Sequence, residues 1–315
     1  MTNIADIVNM EPISAPPTGA ANSSGSASAT DGGGTDRGHG VFPHSWFEGR
    51  TIPSELRRTF GGQVAAQSFA AAMHTVEGKI PHSLHGYFVA AAKSALPLHF
   101  DVENLRDGRS FSHRRVTAMQ EGKPVFMAMV GFQTPGGEGP EHQDLMPEVP
   151  SPVEIRHMDE AVPPSARALL QEWENWEIRV VPSDSYEHDP RTPSQQMVWM
   201  RSKEPVVGDE LVHYPALVYI SDMTLLYSAL VNHQGHEVQM ASLDHSVWFY
   251  REPKVDEWLL YDQSSPAAGD GRSLTTGRFF DVAGNLVAVV SQEGLTRSLR
   301  PGATTLPMDS LKPKK

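Results

Sequence analysis

The chain repeats itself, and that restricts its folds more than any other feature. The strings HSLHGYF (82–88), DVENLRDGRSF (101–111) and RRVTAMQEGKPVFMAMVGFQ (114–133) have counterparts in the same order. These are SLDHSVWF (242–249), WLLYDQSSPAAGDGRSL (258–274) and GRFFDVAGNLVAVVSQEG (277–294). Matching His85 with His245 gives an offset of 160, the two DGRS strings give 163, and Gly122 with Gly284 gives 162. A near-constant spacing over three anchors marks the duplication of a unit about half the folded chain. With 315 residues, each copy is long enough to bury a core of its own.

Each copy has a helix followed by strands. The Ala-rich stretch 59–76 reads as a helix packed closely on one side. In the second copy the helix is expected over 221–233, where Met223, Leu226 and Leu230 recur at helical spacing and Ser221 or Asp222 would cap its start. Strands are expected at 82–90 and 96–104, then a hairpin of 111–120 with 124–133 around Gly122. The second copy offers 174–181, 195–203, 238–250 and 257–264, then a hairpin of 274–281 with 285–293. A helix followed by consecutive antiparallel strands predicts an α+β architecture in which a curved sheet wraps the helix.

Composition sets the boundaries. In 11–40, Gly, Ala, Ser, Pro and Thr fill 23 of 30 positions and Ile13 is the only large aliphatic. Such a segment cannot bury enough apolar area to offset its ordering entropy, so 1–44 is expected to be a disordered tail. The first folded unit then spans 45–134, a Pro-, Gly- and acid-rich linker 135–168, the second unit 169–300 and a flexible C-terminus 301–315.

Several functions are excluded. With no cysteine there is no disulfide scaffold, thiolate nucleophile or Cys-ligated metal. A net charge of −12 argues against a nucleic-acid partner, which asks for a basic footprint. The start MTNIADIVNM has no export-signal pattern, the ending LKPKK is not the SKL address, and no apolar run approaches the ~20 residues of a membrane span. A soluble cytoplasmic protein without membrane insertion is the default expectation. No nucleophile elbow, P-loop, dinucleotide fingerprint or H-E-x-x-H motif occurs. His82 and His85, three apart on a strand, are expected on opposite faces, so no metal site is expected.

The remaining polar candidates each have an ordinary structural explanation. Asp222 could simply cap a helix, Ser242 could be a turn hydroxyl, Gln292 a solvated strand end, and Gln63 a satisfied group beside Gly61-Gly62. Taken together they point elsewhere. The strings FGGQ (60–63), HSLHGYF (82–88), LRDGRSF (105–111), SDM (221–223), LDHSVWF (243–249) and QEG (292–294) resemble the acyl-CoA thioesterase II (TesB-like) family across about 45–135 and 170–298. The resemblance implies a double hotdog, two tandem units that each wrap an antiparallel sheet around a long helix. It also implies an acyl-CoA substrate and no cofactor. By motif, Asp222, Ser242 and Gln292 would hold the water that attacks the thioester, Ser242 standing where many relatives have Thr. Gly62, Gln63 and His82 would bind substrate.

A thioester is already activated, so water needs orientation and partial deprotonation more than a covalent nucleophile. The N-terminus of a buried helix could supply oxyanion donors, with Gly61-Gly62 allowing close approach. Arg57, Arg58, Arg106, Arg109, Arg114 and Lys123 are cations available for phosphates. Two other readings stay open: a hydratase or dehydratase of the same fold using Asp244-His245 or Asp101, and a non-catalytic acyl-CoA sensor. The exposed edges and faces of such sheets also predict a homo-oligomer.

Overall fold

The computed structural model describes residues 4–14, 42–155, 172–206 and 210–299, apart from 53, 55 and 234. The first repeat contains helix α1 (Ile4–Val8), strands β1 (Met10–Ile13) and β2 (His44–Gly49), and helix α2 (Gly61–Met73). Strands β3 (Ile80–Phe88), β4 (Leu98–Asp107), β5 (Phe111–Gln120) and β6 (Lys123–Gln133) follow. The second contains β7 (Trp176–Val180), β8 (Gln196–Ser202), helix α3 (His213–Ser221) and a 3-10 segment (Leu225–Leu230). It continues with β9 (Val238–Ser242), β10 (Asp244–Phe249), β11 (Leu259–Gly269), β12 (Arg272–Asp281) and β13 (Leu286–Ser298).

Repetition in the sequence becomes symmetry in the sheet. One antiparallel sheet runs β1-β2-β4-β5-β6-β3-β10-β13-β12-β11-β8-β7, with β9 attached to β13. The order is the same read from either end once each strand is exchanged for its counterpart. At the centre, β3 pairs with β10 so that His85 faces Ser246 and Gly86 faces His245. Both His85 to His245 and Gly86 to Ser246 are steps of 160, so this register maps onto itself when the repeats are exchanged. That is the self-complementary pairing of a two-fold interface, here within one chain.

The sheet encloses α2 and α3, which lie against each other. Residues 62–72 of α2 are all buried, and its alanines at 65, 66 and 70–72 let the neighbouring backbone come close. Gly62 marks the tightest point, because a Cβ there would run into the backbone carbonyl of Tyr219 in α3. The apolar core continues across both repeats, from Phe69, Phe100 and Phe126 to Val247, Tyr261 and Phe279.

Three expectations need correcting. The tail does not begin at the first residue: Ile4, Ile7, Val8 and Met10 are 3–5% exposed, and β1 pairs with β2. The polar composition that predicts disorder belongs to 15–41, which lies outside the described residues, as do 156–171 and 300–315. Within the linker, residues 143–155 are docked on the second repeat. Trp199 Nε1 donates to Pro150 O at 3.0 Å, Gln143 Nε2 to Gly284 O at 2.9 Å, and Ile155 packs on Trp199 and Phe280 among buried side chains. Finally, the second helix ends where it was expected to start. The α-helix is 213–221, Asp222 follows its last turn, and the Met223/Leu226/Leu230 spacing falls on the turn and the 3-10 segment. Residues 214–221 are all buried, so no polar face makes a helical period visible.

The close approach at Gly62 is testable. Gly62→Ala is expected to lower stability by about 1–3 kcal/mol, as overpacking does. Gly137→Ala, where a Cβ meets nothing within 4 Å, is expected to leave the Tm unchanged. Thermal unfolding of both variants measures the difference.

Candidate active site

The junction of the two helices brings a carboxylate to an unusual place. Asp222 stands at the C-terminal end of α3, where the helix field disfavours a negative charge. It points at the N-terminal end of α2, where the field favours one, and accepts a hydrogen bond from the backbone N–H of Gly62. A Cβ on Gly61 would lie 2.6 Å from Asp222 Oδ2, so the bare backbone at 61 and 62 lets the carboxylate in.

The three residues singled out by motif meet here. Ser242 Oγ, at the end of β9, donates to Asp222 Oδ1 at 2.9 Å. Gln292 Nε2, from β13, donates to the same oxygen at 2.9 Å and to Ser242 Oγ at 2.7 Å. Register brings them together, since Ser242 pairs with Gly294, two residues beyond Gln292. Behind Gln292 lies His245, fully buried, its Nδ1 2.7 Å from Gln292 Oε1. His245 Nε2 is 2.7 Å from Ser221 Oγ, and Tyr261 OH donates to Ser221 O at 2.9 Å. Thr224 is held by Gln263 at 2.6 Å, fixing the turn just after Asp222.

Burial pushes the Asp222 carboxyl above the ordinary carboxylate value. The hydrogen bonds from Ser242, Gln292 and Gly62 oppose that shift. Burial likewise lowers the affinity of His245 for a second proton, with the Asp222 charge acting in the other direction.

Asp222 and Ser242 lie on the wall of a cavity of about 360 Å³. The rest of that wall is mainly apolar, from Phe60, Phe88 and Trp173 to Leu226, Tyr227 and Met240. Gly61 lines it at the first turn of α2, and the exposed Arg58 lies at its rim.

The other sequence candidates fall differently. Gly62 holds the carboxylate through its N–H, and Gln63 is buried in α2 away from the cavity lining. His82 does not reach the cavity. A bulge between Pro81 and Ser83 turns it to the outer face, over Gly131 and edge-on to Phe111, beside His85 rather than opposite it. Strict alternation misses this because a bulge puts two successive side chains on one face. Among the cations, Arg114 is 1% exposed and committed to Thr75 and Asp107, a structural role. The sequence reading also underrated His245. Its signal was the alternation of DHSVWF, which places His245 with Val247 and Phe249 on the buried face.

Known proteins are similar to this chain in sequence and in fold. Residues 52–133 match the family described as acyl-CoA thioesterase N-terminal domain, and 171–295 match acyl-CoA thioesterase. The human acyl-coenzyme A thioesterase 8 is 36% identical over 268 residues, 80% of this chain and 84% of that protein. The chain belongs to the acyl-CoA thioesterase family. The crystal structure of the acyl-CoA thioesterase II TesB2 of Mycobacterium marinum superposes with a TM-score of 0.75 at 39% identity, over 95% of this chain and all of that one. A hotdog-fold protein from Alicyclobacillus acidocaldarius, 23% identical, superposes with a TM-score of 0.66 over 81% of this chain and 94% of its own. The large antiparallel sheet with few helices is thus of the hotdog kind.

The environment of Asp222 makes a directional expectation. Its carboxyl should titrate above the ordinary carboxylate value, read by carbon NMR of aspartate-labelled protein. Gln292→Leu removes a donor that favours the charged form, so it should move that titration to still higher pH. A downward movement would contradict the network described above.

Proposed function

We propose that this protein hydrolyses acyl-CoA thioesters, with Asp222 as general base toward water and Ser242 and Gln292 as the groups that hold it. The observation that carries the proposal is a buried carboxylate, aimed across two helix ends, on the wall of an apolar cavity beside a serine hydroxyl. The same reading takes the architecture as a double hotdog. Its support is the strand order that reads alike from both ends and the self-complementary β3–β10 register.

Counting protons assigns the roles. Both Gln292 amide protons are used, one on Asp222 Oδ1 and one on Ser242 Oγ. The Ser242 proton is used on Asp222 Oδ1 as well. A water at the cavity wall therefore donates to the remaining capacity of the Asp222 carboxylate and approaches the Ser242 oxygen. Gln292 acts from behind by fixing these two. Asp222 takes a proton as the water oxygen adds to the thioester carbonyl carbon. The carbonyl electron pair moves to its oxygen, facing the backbone N–H of Gly61 at the first turn of α2, the Gly62 N–H being held by Asp222. Collapse of this adduct re-forms the carbonyl and breaks the carbon–sulfur bond. The proton held by Asp222 passes to the departing thiolate, leaving a carboxylic acid and the CoA thiol. The apolar wall suits an acyl chain, and Arg58 at the rim suits a phosphate.

The hydratase reading loses its residues. Asp244 and His245 alternate to opposite faces of β10, Asp244 Oδ1 accepting the Glu293 N–H at 2.7 Å while His245 turns inward. Asp101 is engaged with His44 at 2.7 Å.

Purified protein incubated with saturated acyl-CoAs, from short to long, should release free thiol, followed with a colorimetric reagent. Asp222→Asn should slow release by about 10²–10⁴-fold, the usual scale of general-base assistance. Ser242→Thr, which keeps the hydroxyl, should retain activity that Ser242→Ala loses. Binding without thiol release by the unmutated protein would support the sensor reading instead.

A further inference from the structure

We infer that His245 and Ser221 form a positioning relay that keeps the Gln292 amide in its working orientation through the catalytic cycle. The inference rests on the proposed role of Asp222, and it concerns residues that do not touch the substrate.

The orientation of every group follows from the acceptors. Asp222 as a carboxylate only accepts, so the nitrogen of Gln292 faces it at 2.9 Å and Oε1 faces away. Oε1 meets His245 Nδ1 at 2.7 Å, so Nδ1 carries the ring proton. His245 is fully buried, which favours the neutral ring, and Nε2 is then an acceptor. Ser221 Oγ lies 2.7 Å from Nε2 and 2.9 Å from Val218 O, and with Nε2 bare its single proton goes there rather than to Val218 O. Ser221 cannot drift, since its own carbonyl is tied to Tyr261 OH. The chain of donation is Ser221 to His245 to Gln292 to Asp222.

Asp222 can orient Gln292 only while it is ionised. Once it has taken the proton from water, its carboxyl can donate as well as accept, and a flipped amide would be satisfied equally well. The Nδ1 proton of His245 opposes the flip, because a flipped amide would force the ring to its other tautomer and turn the Ser221 proton to Val218 O. Gln292 is consequently in place to receive the carboxylate when the proton leaves for sulfur.

The test combines tautomer, kinetics and rescue. In protein labelled with ¹⁵N-histidine, long-range NMR correlations should show His245 protonated on Nδ1 and bare on Nε2; a ring protonated on Nε2 alone overturns the relay whatever the activity. His245→Asn keeps a donor near the Nδ1 position, whereas His245→Gln and His245→Leu do not. With saturating acyl-CoA, His245→Leu and His245→Gln should lose kcat by about 10²-fold, the scale of a misplaced catalytic group. KM should stay within about twofold, since these residues lie behind the wall, and His245→Asn should recover most of the loss. If His245→Leu does not fold, the Asn and Gln variants, both polar, still decide. Equal activity of the Asn and Gln variants, or kcat of a folded His245→Leu at the unmutated level, overturns the proposal. Asp222→Asn run alongside separates the two ideas: full hydrolysis by that variant defeats the general-base reading, while the tautomer measurement stands independently.

Discussion

Everything at the candidate site depends on two helices of different repeats meeting closely enough for the end of one to serve the other. That approach is possible because Gly61 and Gly62 have no side chains to keep α3 away. It puts the carboxylate of Asp222, otherwise in the unfavourable field at the end of its own helix, onto the backbone donors of α2. Neither repeat could build this site alone. The carboxylate comes from the second copy and its backbone donor from the first.

Such a site is expensive to bury, and the surrounding structure shows how the cost is met. Asp222, Ser221, Thr224, His245, Gln263 and Gln292 are all 8% exposed or less, yet each has a hydrogen-bond partner among the others or on the backbone. A buried polar group left unpaired costs about 1–3 kcal/mol, so a half-satisfied network of this size would threaten the fold. Such pairing also restrains each group. For the proposed reaction, which needs water held at one angle, that restraint is the useful property.

The strands were the most legible part. Alternation and turn glycines place β3 to β6 and β8 to β13 within a few residues of where they lie, because half-buried strands show their period directly. The second helix was misplaced because HYPALVYIS is apolar on every side and carries no period, while the residues after it happen to imitate one. His82 was misjudged for a related reason. A bulge adds one residue to one strand, and strict alternation passes over it although Pro81, at the bulge, is a residue that strands admit chiefly at edges and bulges. The opening segment was dismissed along with the polar stretch behind it, although Ile4, Ile7 and Val8 carry a helical spacing of their own.

By itself, the sequence determined that there are two copies of one unit and that their strands are antiparallel. Its motifs also named Asp222, Ser242 and Gln292 as a group. These depend on local periodicity and on strings of residues, which a linear reading can see. Only the tertiary structure decided that Asp222 closes a helix instead of opening one, and that Gly62 of the other repeat is its partner. It alone also joined Ser221 to Gln292 through His245. These depend on contacts between residues up to 160 positions apart, formed only when the repeats pair across β3 and β10 and bring the helix ends together.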